Sequence, residues 1–486
     1  MWLSKLLTGF ADVEHDIEFT HIALDSRKIK TGDLFFALAG SQQNGLQFAE
    51  QVQQQGAIAI VYDSANQGVS LAKNIKDLPL YKVEGLAEKL GEIAARFYDY
   101  PSAQLNVIGI TGTNGKTSCS QFLAQIMDAS AVIGTLGWGK YPSLQKTINT
   151  TPDAFELQKI LADFAEQGLK NVAMEVSSHG LEQGRVNAIN FKGVIFNNLS
   201  REHLDYHGSM EAYFQSKMRL VQWPGVKFVV VNLDDAYAER VLRAIASDVK
   251  VVTYSLQNKV YAKESSINVG NIQYSMAGIE CDVFWQAEQA QLKAGLLGDF
   301  NLQNILAVVA VMLSMGKSLT ECLQSIQSIK PVVGRMECFN GDIDKPLVIV
   351  DFAHTPDALS KVLTTLRRHC QNKLTVVFGC GGDRDKGKRK EMGEIAAKLA
   401  DHIIITDDNP RFEDGQAIIN DVIAGIKTDS LSVINDRKSA IKHGIMTSSE
   451  FDIVLVAGKG HEDYQELKGI KYPFSDREIV QELLIA

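Results

Sequence analysis

The 486-residue chain has only six cysteines, Cys119, Cys281, Cys322, Cys338, Cys370 and Cys380, scattered without one C-x-x-C pair. That spacing argues against a disulfide framework or a zinc site and predicts reduced thiols. No apolar run reaches the ~20 residues a membrane span needs. Met1 to Phe10 is too short in apolar residues for a signal peptide, and acidic residues follow at once. A cytoplasmic protein is therefore expected. Positive charge is in deficit, 49 Lys and Arg against 58 Asp and Glu, a net −9. A general nucleic-acid binder would be basic, so anionic ligands must be held by local clusters. Internal repeats and low-complexity segments are also lacking. At about 150 residues per domain, the length suggests roughly three domains.

What is present is an alternation of short apolar runs with helical patterns. Leu34–Leu38 and Ala57–Val61 read as strands, with a helix around Phe48 to Gln55 between them. Glu84 to Tyr98 has helical periodicity and ends at the break Tyr100-Pro101. From Val107 onward strand, loop and helix repeat as in a parallel α/β sheet, with buried strands at 172–176 and 228–231. Beyond a boundary near Ile329-Lys330-Pro331, the runs 347–351, 374–379, 402–406 and 453–458 read as a second doubly wound sheet. Polar residues at their ends, Asp351, Gly379, Thr406 and Gly458, stand where such sheets bind ligands.

The strongest chemical signal is Gly112-Thr113-Asn114-Gly115-Lys116-Thr117, directly after the apolar strand Val107–Ile110. Glycines let backbone N–H groups approach phosphate oxygens, a lysine bridges β- and γ-phosphates, and a threonine hydroxyl reaches Mg²⁺. The strict pattern wants Gly five positions before Gly115; Ile110 stands there, so the loop is a variant. Glu175 ends a buried strand, where a carboxylate either holds a metal near the phosphates or caps a turn. A lone histidine is more often structural than a ligand. His203, however, sits in an eleven-residue stretch with His207, Arg201, Glu202 and Asp205, which points to a site. By spacing alone Lys217, on a helix predicted over 210–221, reads as a solvated surface lysine. Three charged loops, 379–389, 407–411 and 458–462, each follow a buried-strand signal. Any one could be merely solvated; three at corresponding strand ends make a ligand crevice the better reading.

These strings, with Asp25-Ser26-Arg27, Asn149-Thr150-Thr151-Pro152, Glu175-Val176-Ser177-Ser178-His179, Asp351-Phe352-Ala353-His354-Thr355-Pro356-Asp357 and Asp408-Asn409-Pro410-Arg411, resemble the Mur ligase family, the ATP-dependent amide ligases of peptidoglycan synthesis. The resemblance runs through the whole chain in family order. It implies an α/β fold of three domains, with a central P-loop-type parallel sheet and a C-terminal Rossmann-like sheet. The bounds expected are 1–85 for UDP-sugar binding, 86–331 for ATP binding and 332–486 for amino-acid binding. It implies uridine contacts at Leu24, Ser26, Ser41, Gln42 and Gln43. Acceptor-peptide contacts are implied at Asn149, Thr150, Thr151, Ser177, Gln183 and Arg185. ATP contacts are implied at the loop Gly112 to Ser118 and at Asn301, Asn304, Arg335 and Asp351. It further implies that Lys217 is carbamylated by CO₂ and coordinates a second Mg²⁺ beside His203 and Glu175, with Thr117 on the first.

The implied reaction turns the γ-carboxylate of D-Glu in UDP-N-acetylmuramoyl-L-Ala-D-Glu into an acyl phosphate at the expense of ATP. An amine then displaces phosphate. That amine must be neutral to attack, so a base is needed; His203, Glu202 and His354 are the candidates. Arg389 and Arg411 match positions that grip diaminopimelate. Arg411 offers a carboxylate a bidentate fork that lysine would leave empty. Asp408 and Asn409 can hold the distal ammonium, and Pro410, Gly458 and Glu462 complete the pocket. The expected amino acid is meso-diaminopimelate, used by a monomer that binds neither nucleic acid nor membrane. The rivals are a ligase adding glutamate to folate, a P-loop NTPase that makes no amide, and a non-catalytic UDP-sugar binder. The first has no reason for Asp408-Asn409-Pro410-Arg411.

Overall fold

The computed structural model describes residues 1–40, 43–341 and 344–485. The chain divides into two compact units, Met1–Thr253 and Tyr254–Ala486.

The first unit opens with a four-stranded parallel sheet, β1 (Ile22–Ala23), β2 (Leu34–Ala37), β3 (Ala59–Tyr62) and β4 (Leu80–Lys82), in sequence order. Leu34, Phe36, Ala59 and Val61 pack with Leu86, Leu90 and Ile93 of the helix Leu86–Phe97. A second set of strands carries the phosphate-loop motif: β5 (Asn106–Thr111), β6 (Ser130–Gly134), β7 (Gly137–Lys140), β8 (Ser143–Gln145), β9 (Asn171–Glu175), β10 (Phe191–Phe196) and β11 (Phe228–Asn232). Their spatial order is β11-β10-β5-β9-β6-β7-β8. The central strands are parallel and buried on both faces, which is why they read as continuous apolar runs. Their core is one cluster of Val107, Met174, Val194, Phe196 and Val229 with helix residues such as Phe164, Phe214 and Leu220.

β5 lies between β9 and β10, so the chain turns to opposite sides of β5 as it continues. Ligands bind at such a switch point, outside the carboxyl ends of the strands. The register is explicit: Ile110 pairs with Glu175 and with Ile195, and Thr111 with Phe196. The loops that follow β5, β9 and β10 are thereby set on one edge.

β12 (Lys250–Ser255) carries the chain toward the second unit, which begins with an antiparallel meander, β13 (Ser266–Ser275), β14 (Gly278–Trp285) and β15 (Glu288–Ala294). The sequence predicted only strand–loop–helix repeats here. Alternating burial along β13 and β14 marks strands with one solvated face, the antiparallel signature. The long apolar helix Asp299–Ser314 follows. The remaining strands are β16 (Glu337–Phe339), β17 (Leu347–Asp351), β18 (Leu374–Phe378), β19 (His402–Ile405), β20 (Leu431–Val433) and β21 (Ile453–Ala457), in the order β16-β17-β21-β18-β19-β20. All but β16 run parallel. The predicted strands at 347–351, 374–379, 402–406 and 453–458 are therefore present to within a residue at each end. A last hairpin joins β22 (Tyr464–Leu467) to β23 (Ile470–Pro473). No helix among the described residues is long and apolar enough to cross a membrane.

Candidate active site

The phosphate-loop motif turns through two glycines of positive φ, Gly112 at 148° and Gly115 at 83°, before the helix Lys116–Ile126 begins. A helix N-terminus preceded by such a loop presents N–H groups to an anion. The loop is braced from β10. Thr113 N–H donates to the Asn198 carbonyl at 2.9 Å, and Asn114 N–H to Asn198 Oδ1 at 2.8 Å. Lys116 Nζ donates to the Gly112 and Thr113 carbonyls at 2.8 and 2.9 Å.

Glu175 is fully buried at the end of β9. Its Oε2 accepts from Thr117 Oγ1 at 3.0 Å and from Thr135 Oγ1 at 3.1 Å; its Oε1 accepts from Thr135 N–H at 2.8 Å. Burial pushes its pKa up, opposed by the charge of Lys116 and by the Thr135 and Thr117 hydrogen bonds. A buried carboxylate beside a threonine hydroxyl at a phosphate loop is the oxygen donor set Mg²⁺ takes together with substrate phosphates. Among the described residues no group of three or more His, Cys, Asp and Glu forms a self-sufficient metal cage. Gly134 stands directly over the carboxylate: a Cβ there would lie 2.1 Å from Glu175 Oε1. We expect Gly134→Ala to displace Glu175 and lower kcat about 100-fold, the scale of a 1 Å misplacement, with an unchanged far-UV circular dichroism spectrum. Activity within a few-fold of wild type would show that the carboxylate position is not critical.

Lys217 is not the surface lysine its spacing suggested: it is 1% exposed. It falls on the buried stripe of the helix Met210–Val221 with Tyr213, Phe214 and Val221, an i, i+3, i+4 signal present in the sequence. Its Nζ donates to the Gly112 carbonyl at 2.9 Å and lies 4.5 Å from the centre of the Tyr213 ring. Burial, helped by the charge of Lys116, holds its pKa well below that of an ordinary lysine. His203 begins a short helix with a left-handed backbone, φ 55°. Its ring meets the edge of His179 at 4.9 Å and that of Tyr213 at 6.1 Å, and its Nε2 lies 3.7 Å from Glu202. Tyr213 is thus the common neighbour of His203 and Lys217. Asn197, Asn198, Thr135 and His179 are the members of this edge that the sequence left without a role. Thr135 and Asn197 belong to no motif, while His179 ends the string Glu175–His179 and Asn198 opens the stretch that carries His203.

The expected peptide contacts do come together. Thr151 Oγ1 accepts from Ser177 N–H and donates to the Glu175 carbonyl, each at 3.0 Å. Arg185 donates to the Thr151 carbonyl at 2.8 Å and, through Nε and NH2, to Gln183 Oε1. Thr150 Oγ1 lies 3.0 Å from Thr135 Oγ1. Asn149 is exposed beside them. In the N-terminal sheet, Ser26 is buried and its hydroxyl reaches Gln51 at 3.3 Å. Leu24 is half-buried and Gln43 exposed, while Ser41 and Gln42 lie outside the described residues.

In the second unit, Asp351 ends β17 and accepts from the N–H groups of Met336 and Ala353 at 2.7 and 2.8 Å. Burial raises its pKa and the Arg335 charge opposes that. The Arg335 guanidinium covers the Phe352 ring at 4.8 Å. Asn301 and Asn304 are buried on the helix Asp299–Ser314. His354 Nδ1 lies 2.8 Å from the Phe352 carbonyl oxygen.

The loops after β18, β19 and β21 converge as the sequence predicted, but three of their residues, Arg389, Asn409 and Arg411, are not the open groups it suggested. Arg389 is 1% exposed, and its guanidinium is engaged by Glu413 and Asp421 at 2.8 to 3.1 Å. Asn409 Oδ1 accepts from Lys459 Nζ and from Glu466 N–H, both at 2.9 Å, and its amide donates to Glu462 at 3.1 Å. An amide oxygen with two lone pairs is then full; the carboxylates of Asp408 and Glu462 lie 3.8 and 3.4 Å from Lys459 Nζ. Lys459, fully buried, is the unpredicted centre of this cluster; it also donates to the Tyr464 carbonyl at 2.7 Å. Arg411, at φ 52°, spends Nε on Glu466 and NH1 on the Gly382 carbonyl. A Cβ at Gly458 would meet Asp408 Oδ2 at 2.6 Å, so that glycine is required for the loops to close together.

A phosphate loop at a switch point and a second open parallel sheet with a charged loop cluster define a multidomain α/β protein of the nucleotide-loop class. Three family models match in succession: "Mur ligase family, catalytic domain" over 18–98, "Mur ligase middle domain" over 110–312 and "Mur ligase, glutamate ligase domain" over 334–460. The chain is 45% identical over 98% of its length to the UDP-N-acetylmuramoyl-L-alanyl-D-glutamate–2,6-diaminopimelate ligase of Pseudomonas aeruginosa, of which 97% is covered. The Vibrio vulnificus protein of that name is 43% identical, covering 100% of this chain and 98% of its own. A solved structure of a ligase with the same name superposes with a TM-score of 0.75 at 35% identity, over 100% of this chain and 98% of the other. The chain belongs to the Mur ligase family. The fold alone is shared with a folylpolyglutamate synthase from Thermotoga maritima, at 14% identity and a TM-score of 0.60 over 76% of this chain and 90% of that one.

Proposed function

We propose that the protein is an ATP-dependent amide ligase that adds meso-2,6-diaminopimelate to the D-Glu γ-carboxylate of UDP-N-acetylmuramoyl-L-Ala-D-Glu, a step of peptidoglycan precursor synthesis in the cytoplasm. The observation that carries this reading is the meeting of Lys116, Thr117 and Glu175 at the ends of β5 and β9, in a chain 45% identical over 98% of its length to a ligase of that name. Division at about residues 85 and 331 into UDP-sugar, ATP and amino-acid domains follows from the same reading.

Mg²⁺, when bound, neutralises phosphate charge during phosphoryl transfer. Thr117 and Glu175 would hold it, and Lys116, now on the loop carbonyls, would serve the phosphates. Lys217, whose pKa burial holds well below that of an ordinary lysine, attacks CO₂ through its neutral form to give a carbamate and release a proton. With His203 and Glu175, that carbamate would hold a second Mg²⁺. Asn301, Asn304, Arg335 and Asp351 take the adenosine part of ATP. The loop Asn149–Thr151 with Ser177, Gln183 and Arg185 takes the acceptor peptide, and Leu24, Ser26, Ser41, Gln42 and Gln43 the uridine. The γ-carboxylate attacks the γ-phosphorus of ATP, ADP leaves and the acyl phosphate forms; the neutral diaminopimelate amine then attacks the acyl carbon, loses a proton to a base and expels phosphate.

In the C-terminal cluster the distal carboxylate is taken by Arg411. Asp408 and Glu462 face the distal ammonium, Pro410 and Gly458 shape the pocket, and Arg389 holds its wall through Glu413. Lysine lacks the carboxylate and makes no ion pair with Arg411, whose Nε and NH1 already serve Glu466 and the Gly382 carbonyl. With ATP, Mg²⁺ and the UDP-sugar dipeptide, we expect phosphate release and an amide product with diaminopimelate but not with L-lysine. Arg411→Ala is expected to raise the diaminopimelate KM about 10- to 100-fold. An unchanged KM, or turnover with lysine alone, rules out this pocket; phosphate release without amide rules out the ligase.

A further inference from the structure

We propose that Thr135 is a positioning residue that couples the loop Asn149–Thr151 to Glu175, so that binding of the acceptor and binding of the metal strengthen one another. The inference rests on the reading above, in which Glu175 holds Mg²⁺ and that loop holds the acceptor peptide.

Thr135 is built into a tight place. It follows the last residue of β6, and Gly134 pairs with Gly137 of β7, so only Thr135 and Leu136 make the connection. A two-residue hairpin link leaves little freedom. From this position one residue engages both oxygens of one carboxylate: its N–H meets Glu175 Oε1 at 2.8 Å and its hydroxyl meets Oε2 at 3.1 Å. Two donors from one rigid residue set the plane of the carboxylate as well as its place.

The hydroxyl faces a second partner, Thr150 Oγ1, at 3.0 Å. A threonine hydroxyl has one proton and two lone pairs. Thr135 gives its proton to the carboxylate, which only accepts. Thr150 must therefore donate to Thr135. The chain Thr150 → Thr135 → Glu175 has one direction, and it leaves the lone pairs of Thr150 for a donor such as a peptide N–H. Fixing either end orders the other through a single atom, Thr135 Oγ1. Thr117, the third donor to Glu175, makes no such link to the loop.

The test uses the intact enzyme with saturating ADP, so that no turnover occurs. The affinity for UDP-N-acetylmuramoyl-L-Ala-D-Glu is measured calorimetrically with and without Mg²⁺, and the ratio is the coupling factor. Coupling is reciprocal, so the same factor appears in Mg²⁺ affinity with and without acceptor. Thr135→Val keeps shape and N–H but loses the hydroxyl; it is expected to lower the factor at least fivefold. Thr135→Ser restores the hydroxyl and should restore the factor, which separates positioning from folding. Thr150→Val should add nothing further in the Thr135→Val background. A factor within twofold of wild type in Thr135→Val overturns the inference, as does an additional full loss from Thr150→Val. Glu175→Gln is the control for the underlying reading. If it weakens Mg²⁺ binding while Thr135→Val does not alter coupling, only the coupling is wrong. If Glu175→Gln leaves Mg²⁺ binding unchanged, the metal assignment fails and the inference with it.

Discussion

Replacing Lys217 by alanine is expected to lower kcat about 10³-fold, because the carbamate proposed there supplies several kcal/mol of charge stabilisation through a metal. The physical basis is local. An ordinary lysine is cationic at neutral pH and does not attack CO₂. This one is buried under Tyr213, its hydrogen-bond acceptor is a neutral carbonyl, and Lys116 repels a second positive charge. Millimolar short-chain carboxylates should restore part of the activity of Lys217→Ala by occupying the space of the missing anion. Full activity of the variant at low Mg²⁺ would remove the carbamate from the mechanism.

The same shift sets a pH dependence. In CO₂-free buffer burial holds the pKa of Lys217 in the folded protein well below that of the unfolded chain, which stays protonated up to its ordinary pKa. The unfolded state then binds one more proton, so stability rises with pH between the two pKa values and is lost as pH falls. The slope is about 1.4 kcal/mol per pH unit. Lys217→Met should lose this slope in urea titrations made at several pH values. An unaltered slope would mean that the amine is protonated in the folded state.

The second large effect is on stability. Asp476→Ala is expected to cost about 3–5 kcal/mol, measured as a shift of the denaturation transition of the second unit. Arg437 and Asp476 are both fully buried and joined by two hydrogen bonds of 2.8 and 2.7 Å. Removing one partner leaves the other as an uncompensated buried charge. Domains are stable by about 5–15 kcal/mol in all, so a large part of the margin goes. Arg437→Met with Asp476→Leu removes both charges and should recover most of the loss. An equal loss in the double variant would show that packing, not charge, holds this region. Arg437 also donates to the carbonyl of Ala457, the last residue of β21, at 2.9 Å. The pair therefore anchors the strand end from which Gly458 to Glu462 departs.

The phosphate loop was legible because all its working atoms come from neighbouring residues after a strand of unmistakable pattern. The strand ends of the second sheet were legible for the same reason: a parallel strand buried on both faces is a continuous apolar run, and its loop follows at once. Lys217 needed the family resemblance, although its place on the apolar stripe with Tyr213 and Val221 is a signal in the sequence. Thr135 had no such signal, and Lys459, although inside the charged loop 458–462, carried no role of its own there. One works through a carboxylate forty residues away, the other through an asparagine fifty residues away, and only the pairing of strands brings these together. Arg389 and Asn409 illustrate the opposite error: motif position suggested open groups, while the partners that occupy them, Glu413, Asp421, Lys459 and Glu466, lie outside the motif.

The crowding at Glu175 bears on drug resistance. Its two oxygens are held by Thr117 and Thr135, and the space above it is closed to anything larger than glycine at position 134. A substitution that blocks an inhibitor seated against this carboxylate must change one of these four residues. Thr117 and Thr135 both donate to Glu175 and Gly134 lies against it, so escape there comes at the expense of turnover. An inhibitor that leans instead on Phe412, 74% exposed, meets a side chain that lies largely in solvent.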